Sequence, residues 1–269
     1  MRRSPSNTIV WASTVLALVT WASLAGCAGP QALPHAGRTT PQKEQLTKPG
    51  KFGTADKRAA ADTRRAFFDF WNEEIIRQDI AVGTVFMGDS ITEFWELAAY
   101  FRPSSGVILN RGISGDLAVN MDRRFDADVI QLRPRNVVIL AGTNDVARML
   151  EAKKSDQEIV QTVVRAVESM LDKARGAGVN VLVCSIVPTN PDTRDHPGKA
   201  RLLPQINEQI KATAAAKGCV YVDYWNRMRD PNGALLKTLA RDGLHPHYAG
   251  YEIMAATLHD AAKAHGLKL

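Results

Sequence analysis

Asn136-Val137-Val138-Ile139-Leu140-Ala141 runs without a break into Gly142-Thr143-Asn144-Asp145. A near-continuous β-branched and aliphatic run of this kind marks a strand buried on both faces. Four other short runs share its character, at 84–87, 107–110, 179–187 and 220–223. Amphipathic stretches near 117–132, 156–176, 200–217 and 247–265 alternate with them and predict helices. Another helix is expected over 57–80, where Phe67, Phe68, Phe70, Trp71, Ile75 and Ile76 make a heavy apolar face. Strands joined through helices by short links build βαβ units and a parallel sheet. No internal repeat interrupts the alternation. The expectation is one three-layer α/β/α domain over 57–269 with a five-stranded parallel sheet.

The chain of 269 residues is 45% hydrophobic and 23% charged, proportions that allow a sizeable core. Its net charge of +6 is dispersed, without a like-charge block or an aromatic-basic stripe, so nucleic acid is not an expected partner. At the N-terminus Arg2 and Arg3 precede an apolar stretch over 9–24, followed by the small residues Ala25 and Gly26. That order reads as an export signal. The stretch is short for a membrane-spanning helix and is diluted by Ser13, Thr14 and Thr20.

Leu24-Ala25-Gly26-Cys27 resembles the bacterial lipobox. The resemblance implies a leader over 1–26, cleavage before Cys27, and lipid on that cysteine as the membrane anchor. Residues 27–56 then read as the lipidated cysteine and a Pro-, Gly-, Thr-, Gln- and Lys-rich linker. Ala28 rather than aspartate after the cysteine implies sorting to the outer membrane, facing the periplasm. Two further cysteines fall in predicted strands, Cys184 late in its strand and Cys219 at the opening of its own. That offset places them too far apart to bond, so both read as small buried hydrophobes.

In a parallel α/β sheet, functional groups collect outside the carboxyl ends of the strands. The polar motifs of this chain fall there. Gly88-Asp89-Ser90 follows the first strand, Arg111-Gly112-Ile113-Ser114-Gly115-Asp116 the second, and Gly142-Thr143-Asn144-Asp145 the third. Asp242-Gly243-Leu244-His245-Pro246 lies well beyond the fifth strand, immediately before the last helix, which must return across the sheet. Serine, aspartate and histidine can therefore meet as nucleophile, orienter and general base. Three donors are available for an oxyanion: the Ser90 amide, an amide of the glycine loop after strand two, and the Asn144 side chain. Each motif alone has a plainer reading. Gly-Asp-Ser is also a turn with serine as helix cap, and Asn144 also suits an Asx-turn.

Taken together, in this order, the blocks resemble the SGNH/GDSL hydrolases, in the branch with Gly88-Asp89-Ser90-Ile91-Thr92. The resemblance covers 84–260. It implies a flavodoxin-like sandwich, Ser90 as nucleophile, His245 as base and Asp242 as its partner. It also implies an oxyanion hole from Ser90, Gly115 and Asn144, with Gly112 ranked after Gly115. No cofactor is expected. No metal is expected either, because the chain lacks a His-Glu-x-x-His string, a Cys/His cluster and an EF-hand loop.

Asp89, Asp116 and Asp145 beside these positions read as loop hydrogen-bonders, and His196 and His247 as solvated histidines. Phe94, Trp95, Met149 and Leu150 are candidates for an acyl pocket or for core. Spacing between the blocks leaves no room for a lid domain, so a shallow open groove suited to short acyl chains is expected. The polar loop 188–198 is expected over the alcohol side. The leading expectation is an esterase acting on O-acetyl groups of carbohydrates or similar small esters. A lysophospholipase or acyl-thioesterase of the same family is the alternative, and a non-catalytic glycan-binding lipoprotein the reading from another class.

Overall fold

The computed structural model describes residues 60–192 and 198–269. The leader, Cys27, the linker and His196 lie outside the described residues. The chain forms α1 (Ala60–Arg77), β1 (Val82–Gly88), α2 (Ser90–Glu93), α3 (Leu97–Tyr100), β2 (Val107–Gly112), α4 (Ala118–Asp128) and β3 (Asn136–Leu140). It continues through α5 (Thr143–Glu151), α6 (Asp156–Gly176), β4 (Asn180–Cys184), α7 (Lys199–Ala216), β5 (Val220–Val222), α8 (Tyr224–Met228) and α9 (Tyr248–Ala264). The five strands form one all-parallel sheet in the order β2-β1-β3-β4-β5. This is the doubly wound flavodoxin-like order, whose switch point lies between β1 and β3.

The uninterrupted apolar runs have a direct cause. Successive strand side chains point to opposite faces, and both faces are covered. Val85, Met87, Val137, Ile139, Val181 and Val183 pack on one side with residues of α4, α6 and α7. Their neighbours Phe86, Val138, Leu140, Leu182 and Cys184 pack on the other with Trp95, Phe101 and residues of α9. Cys184 and Cys219 are both free.

Three expectations are corrected. The apolar face of α1 is split: Phe68 and Ile75 are buried, while Phe67, Phe70 and Trp71 are exposed. Helical geometry places Phe68, Asn72 and Ile75 on one stripe, and Asn72 enters the interior because its amide bonds Ala127 O at 3.0 Å and Asp128 Oδ1 at 3.1 Å. The fourth strand ends at Cys184, short of the expected 187. The short β5 offers its last acceptor to the Ser185 amide, and Asn207 of α7 then satisfies both backbone groups of Ile186. Finally, α5 is a full helix where the sequence displays only a turn motif.

Candidate active site

The site begins with how β1 ends. Gly88 closes the strand, and Asp89 caps α2 by accepting from the Ile91 amide at 2.9 Å. Asp89, not Ser90, is the cap, so the Ser90 hydroxyl is left for other work. Ser90 is the first residue of α2, and its amide is one of the orphan donors of a helix start. Two side chains hold this helix and the turn after it. Asn110 donates to Thr92 O at 2.7 Å and Trp95 O at 3.2 Å, and Tyr251 of α9 donates to Ile91 O at 2.8 Å.

His245 reaches Ser90 from 155 positions away: its Nε2 lies 2.9 Å from Ser90 Oγ. On its other side Nδ1 lies 2.6 Å from Asp242 Oδ2. A carboxylate can only accept, so Nδ1 carries the hydrogen and Nε2 presents a lone pair to the serine hydroxyl. The remaining Asp242 oxygen accepts from the amides of Leu244 and His245, at 3.0 and 2.8 Å. Partial burial pushes the Asp242 carboxyl up, but the His245 ring and these two amides outweigh it and hold the group at about 2. The loop itself is fastened by Asn190, whose amide donates to Gly243 O at 2.8 Å. The start of the 188–198 loop therefore braces the histidine loop, and residues 193–197, on which its expected place over the alcohol side depends, lie outside the described residues.

Gly115 and Asn144 face the same space. Gly115 takes a left-handed φ of +79°, open to glycine at little cost, and its amide makes no hydrogen bond among the described residues. Asn144, at the start of α5, donates to Asp116 O at 3.1 Å and lies 3.5 Å from Asp89 Oδ2. Its acceptor-only neighbours require the amide nitrogen, not the oxygen, on this side. Ser90, Phe94, Gly115, Asn144 and His245 line one cavity of about 450 Å³. Gly112 stands elsewhere: its amide is taken by Asn110 Oδ1 at 2.9 Å.

Beneath the cavity lies a buried ionic layer that sequence reasoning missed. Arg124 is fully buried and bonds Asp116 at 2.8 Å, Asp128 at 2.9 Å and Gly88 O at 3.1 Å. Burial opposes its charge, and the two carboxylates more than restore it. Asp145 accepts from the Ala118 amide through both oxygens at 3.1 Å. Burial raises Asp89 to about 6 and Asp145 to about 7, against the pull of the Ile91 and Ala118 amides respectively. Lys199, also buried, offsets part of the Asp89 shift. The only sequence signal for Arg124 was its position on the apolar stripe of α4 with Met121 and Phe125.

Of the other candidates, Phe94 is 55% exposed at the cavity rim with its ring 5.4 Å from that of His245. Trp95 is core, stacked on Tyr251, and Met149 and Leu150 pack against the core. His247 is half-buried and caps α9, accepting from the Ala249 amide.

A family model described as the GDSL-like lipase/acylhydrolase family matches residues 86–253, a span that holds Ser90, Gly115, Asn144, Asp242 and His245. An acetylxylan esterase of Geobacillus stearothermophilus is 26% identical over 161 residues, 57% of this chain and 71% of that protein. The uncharacterized lipoprotein YqeF of Bacillus subtilis (strain 168) is 31% identical over 83 residues, 30% of this chain and 32% of that one. Among solved structures, a GDSL-like lipase from Bacteroides thetaiotaomicron VPI-5482 superposes with a TM-score of 0.64 at 30% identity, covering 77% of this chain and 98% of the other.

Proposed function

Given that the chain belongs to the GDSL-like lipase/acylhydrolase family and is a carboxylic-ester hydrolase, we propose that Ser90, His245 and Asp242 carry the reaction through an acyl-enzyme. Ser90 Oγ attacks the ester carbonyl as His245 Nε2 takes its proton. Asp242 holds the ring and stabilises its charged form. The oxyanion is met by the amides of Ser90 and Gly115 and by Asn144 Nδ2. Collapse expels the alcohol, which receives the proton from His245. Water then attacks the acyl-serine with His245 again as base, releasing the acid and the serine. The observation that carries this reading is the continuous contact from Ser90 through His245 to Asp242, at 2.9 and 2.6 Å.

The substrate we propose is a short ester, an O-acetyl group on a carbohydrate or similar alcohol. The cavity of about 450 Å³ and the absence of a lid among the described residues support it. So does the similarity to an acetylxylan esterase. A chain-length series of 4-nitrophenyl esters tests it: the acetate should turn over faster than the octanoate or laurate. The reverse order points instead to the lysophospholipase or thioesterase reading. Absence of any turnover, with no fluorophosphonate labelling of Ser90, leaves only glycan binding.

The anchor is part of the same proposal. Cys27 is read as the lipidated residue of an exported lipoprotein on the periplasmic face of the outer membrane. The lipobox-like 24–27 segment supports it, as does the similarity to a protein named a lipoprotein. Among the described residues no helix is long and apolar enough to cross a membrane. Cys27→Ser should move the protein into the soluble periplasmic fraction. Unchanged membrane association counts against the anchor.

A further inference from the structure

Arg148 lies four residues after Asn144 on α5, so the two side chains share a helix face one turn apart. Arg148 lines the same cavity as Ser90 and His245. Its Nη1 atom is sealed from solvent and has no hydrogen-bond partner among the described residues. An unpaired guanidinium nitrogen is costly, and because Arg148 is only half-buried at the cavity wall, a small turn of its side chain would let a bound anion supply the acceptor. Glu151 also lines the cavity but is exposed, and no ion pair joins it to Arg148 among the described residues. The buried carboxylates below are already engaged. Asp116 bonds Arg124, Asp145 caps α4, and Asp89 caps α2. Lys199 adds a second cation to the cavity wall and is itself buried.

We propose that Arg148 is a specificity-determining residue that binds a carboxylate on the alcohol part of the substrate, so that the preferred substrate is an O-acetylated acidic sugar. The inference rests on the esterase reading and narrows its substrate class. An acetyl group is small, and a cavity of about 450 Å³ leaves most of its wall to the alcohol. Four helical residues advance roughly 6 Å along the axis, which sets the Arg148 backbone about one turn beyond that of Asn144 on α5. A sugar-ring carboxylate a few bonds from the acetylated oxygen spans this interval. The planar guanidinium fork is suited to carboxylate oxygens, and such charge-assisted bonds are stronger than neutral ones.

The test compares acetate release by the full chain from a mono-O-acetylated hexuronic acid and from its neutral uronamide, with 4-nitrophenyl acetate as the reference ester. The parent should prefer the acid by roughly tenfold or more in kcat/KM. Arg148→Gln should bring the acid-to-amide ratio close to one, and Arg148→Lys should retain part of the preference. Because the ratio is taken within one protein, loss of folded material in a variant cancels. A chain that cleaves 4-nitrophenyl acetate but shows no preference for the acid overturns this inference and leaves the esterase reading standing. A preference that survives Arg148→Gln overturns it too. A chain inert towards 4-nitrophenyl acetate overturns both.

Discussion

Arg124 and Asp116 form an ion pair at 2.8 Å with both side chains wholly removed from solvent. The same guanidinium reaches Asp128 of its own helix and the carbonyl of Gly88 at the end of β1. One residue thus joins the strand that delivers Ser90 to the loop that carries Gly115. Removing one member of a buried ion pair leaves an uncompensated charge, at a cost of about 3–5 kcal/mol. Arg124→Met should therefore lower the stability measured by urea unfolding by about that amount. Arg124→Lys should recover some of it, since an ammonium keeps the charge but not the planar fork. A loss under about 1 kcal/mol for the methionine variant would show that the carboxylates find other partners.

Asn144 tests the oxyanion hole. Its amide donates to Asp116 O at 3.1 Å and, more weakly, to Asp89 Oδ2 at 3.5 Å, so the second N–H has to leave the longer contact to reach an oxyanion. If that hydrogen meets the developing oxyanion, Asn144→Ala should cost roughly 2.7–4 kcal/mol of barrier, seen chiefly in kcat. A rise in KM with kcat preserved would instead make Asn144 a ground-state binding residue. Fluorophosphonate labelling and thermal melting of the variant separate a lost donor from a lost fold.

The residues that were legible share a property. Ser90, Asn144, Asp242 and His245 sit in loops or at helix starts directly after strands or before the last helix, where polar residues in an apolar chain stand out. The strands were legible because both sheet faces are buried, which leaves no polar alternation to confuse the pattern. Arg124, Arg148 and Lys199 were not, because a charged residue on a helix reads as solvated until the packing of that helix is known. The aromatic residues of α1 failed for the mirror reason: composition marked them as apolar, but the helical register turned Phe67, Phe70 and Trp71 outward. The α5 helix was hidden behind Gly142-Thr143-Asn144-Asp145, whose turn-like composition describes the start of the helix and carries no signal for its later turns. The loop at 188–198 is polar, as its composition indicates. Buried Thr189 and Asn190 turn that polarity to the segment before the histidine loop: the Asn190 side chain donates to Leu235 O at 2.7 Å and Thr189 O accepts from the Leu235 amide, while the Asn190 backbone amide reaches Gly243 O.

Gly112 separates packing from catalysis within one loop. A Cβ added there would lie 2.2 Å from Glu93 N and 2.6 Å from Glu93 Cα. These are backbone atoms of α2, the helix that begins with Ser90, so they cannot yield by a side-chain rotation. Gly112→Ala should destabilise the fold by about 1–3 kcal/mol or more, the usual range for overpacking. It should also lower kcat by displacing α2 under the nucleophile. Gly115→Ala, where φ is +79°, strains the backbone at the proposed donor and should fall mainly on kcat. A Gly112→Ala protein with unaltered urea midpoint and turnover would show that α2 and β2 separate more easily than their contact implies.

Asp145 makes the stability of the fold depend on pH in a direction that can be predicted. Burial raises its carboxyl from 3.8 to about 7, opposed by the Ala118 amide and reinforced by the charge of Asp116. The unfolded chain gives up this proton near 3.8 while the native state keeps it to about 7. Between those values the native state binds more protons, so stability is greatest below about 4 from this group and falls as pH rises towards 7. The slope is at most about 1.4 kcal/mol per pH unit for one proton. Asp89, raised by burial to about 6, adds a contribution of the same sign over a narrower window. Asp145→Asn keeps an oxygen for the Ala118 amide but cannot ionise. Urea midpoints measured at pH 5, 6, 7 and 8 should therefore fall less steeply for this variant than for the parent, with Asp89 supplying the slope that remains. Parallel curves for the two proteins would mean that Asp145 is ionised in the native state throughout, with the Ala118 amide sufficient to hold its charge.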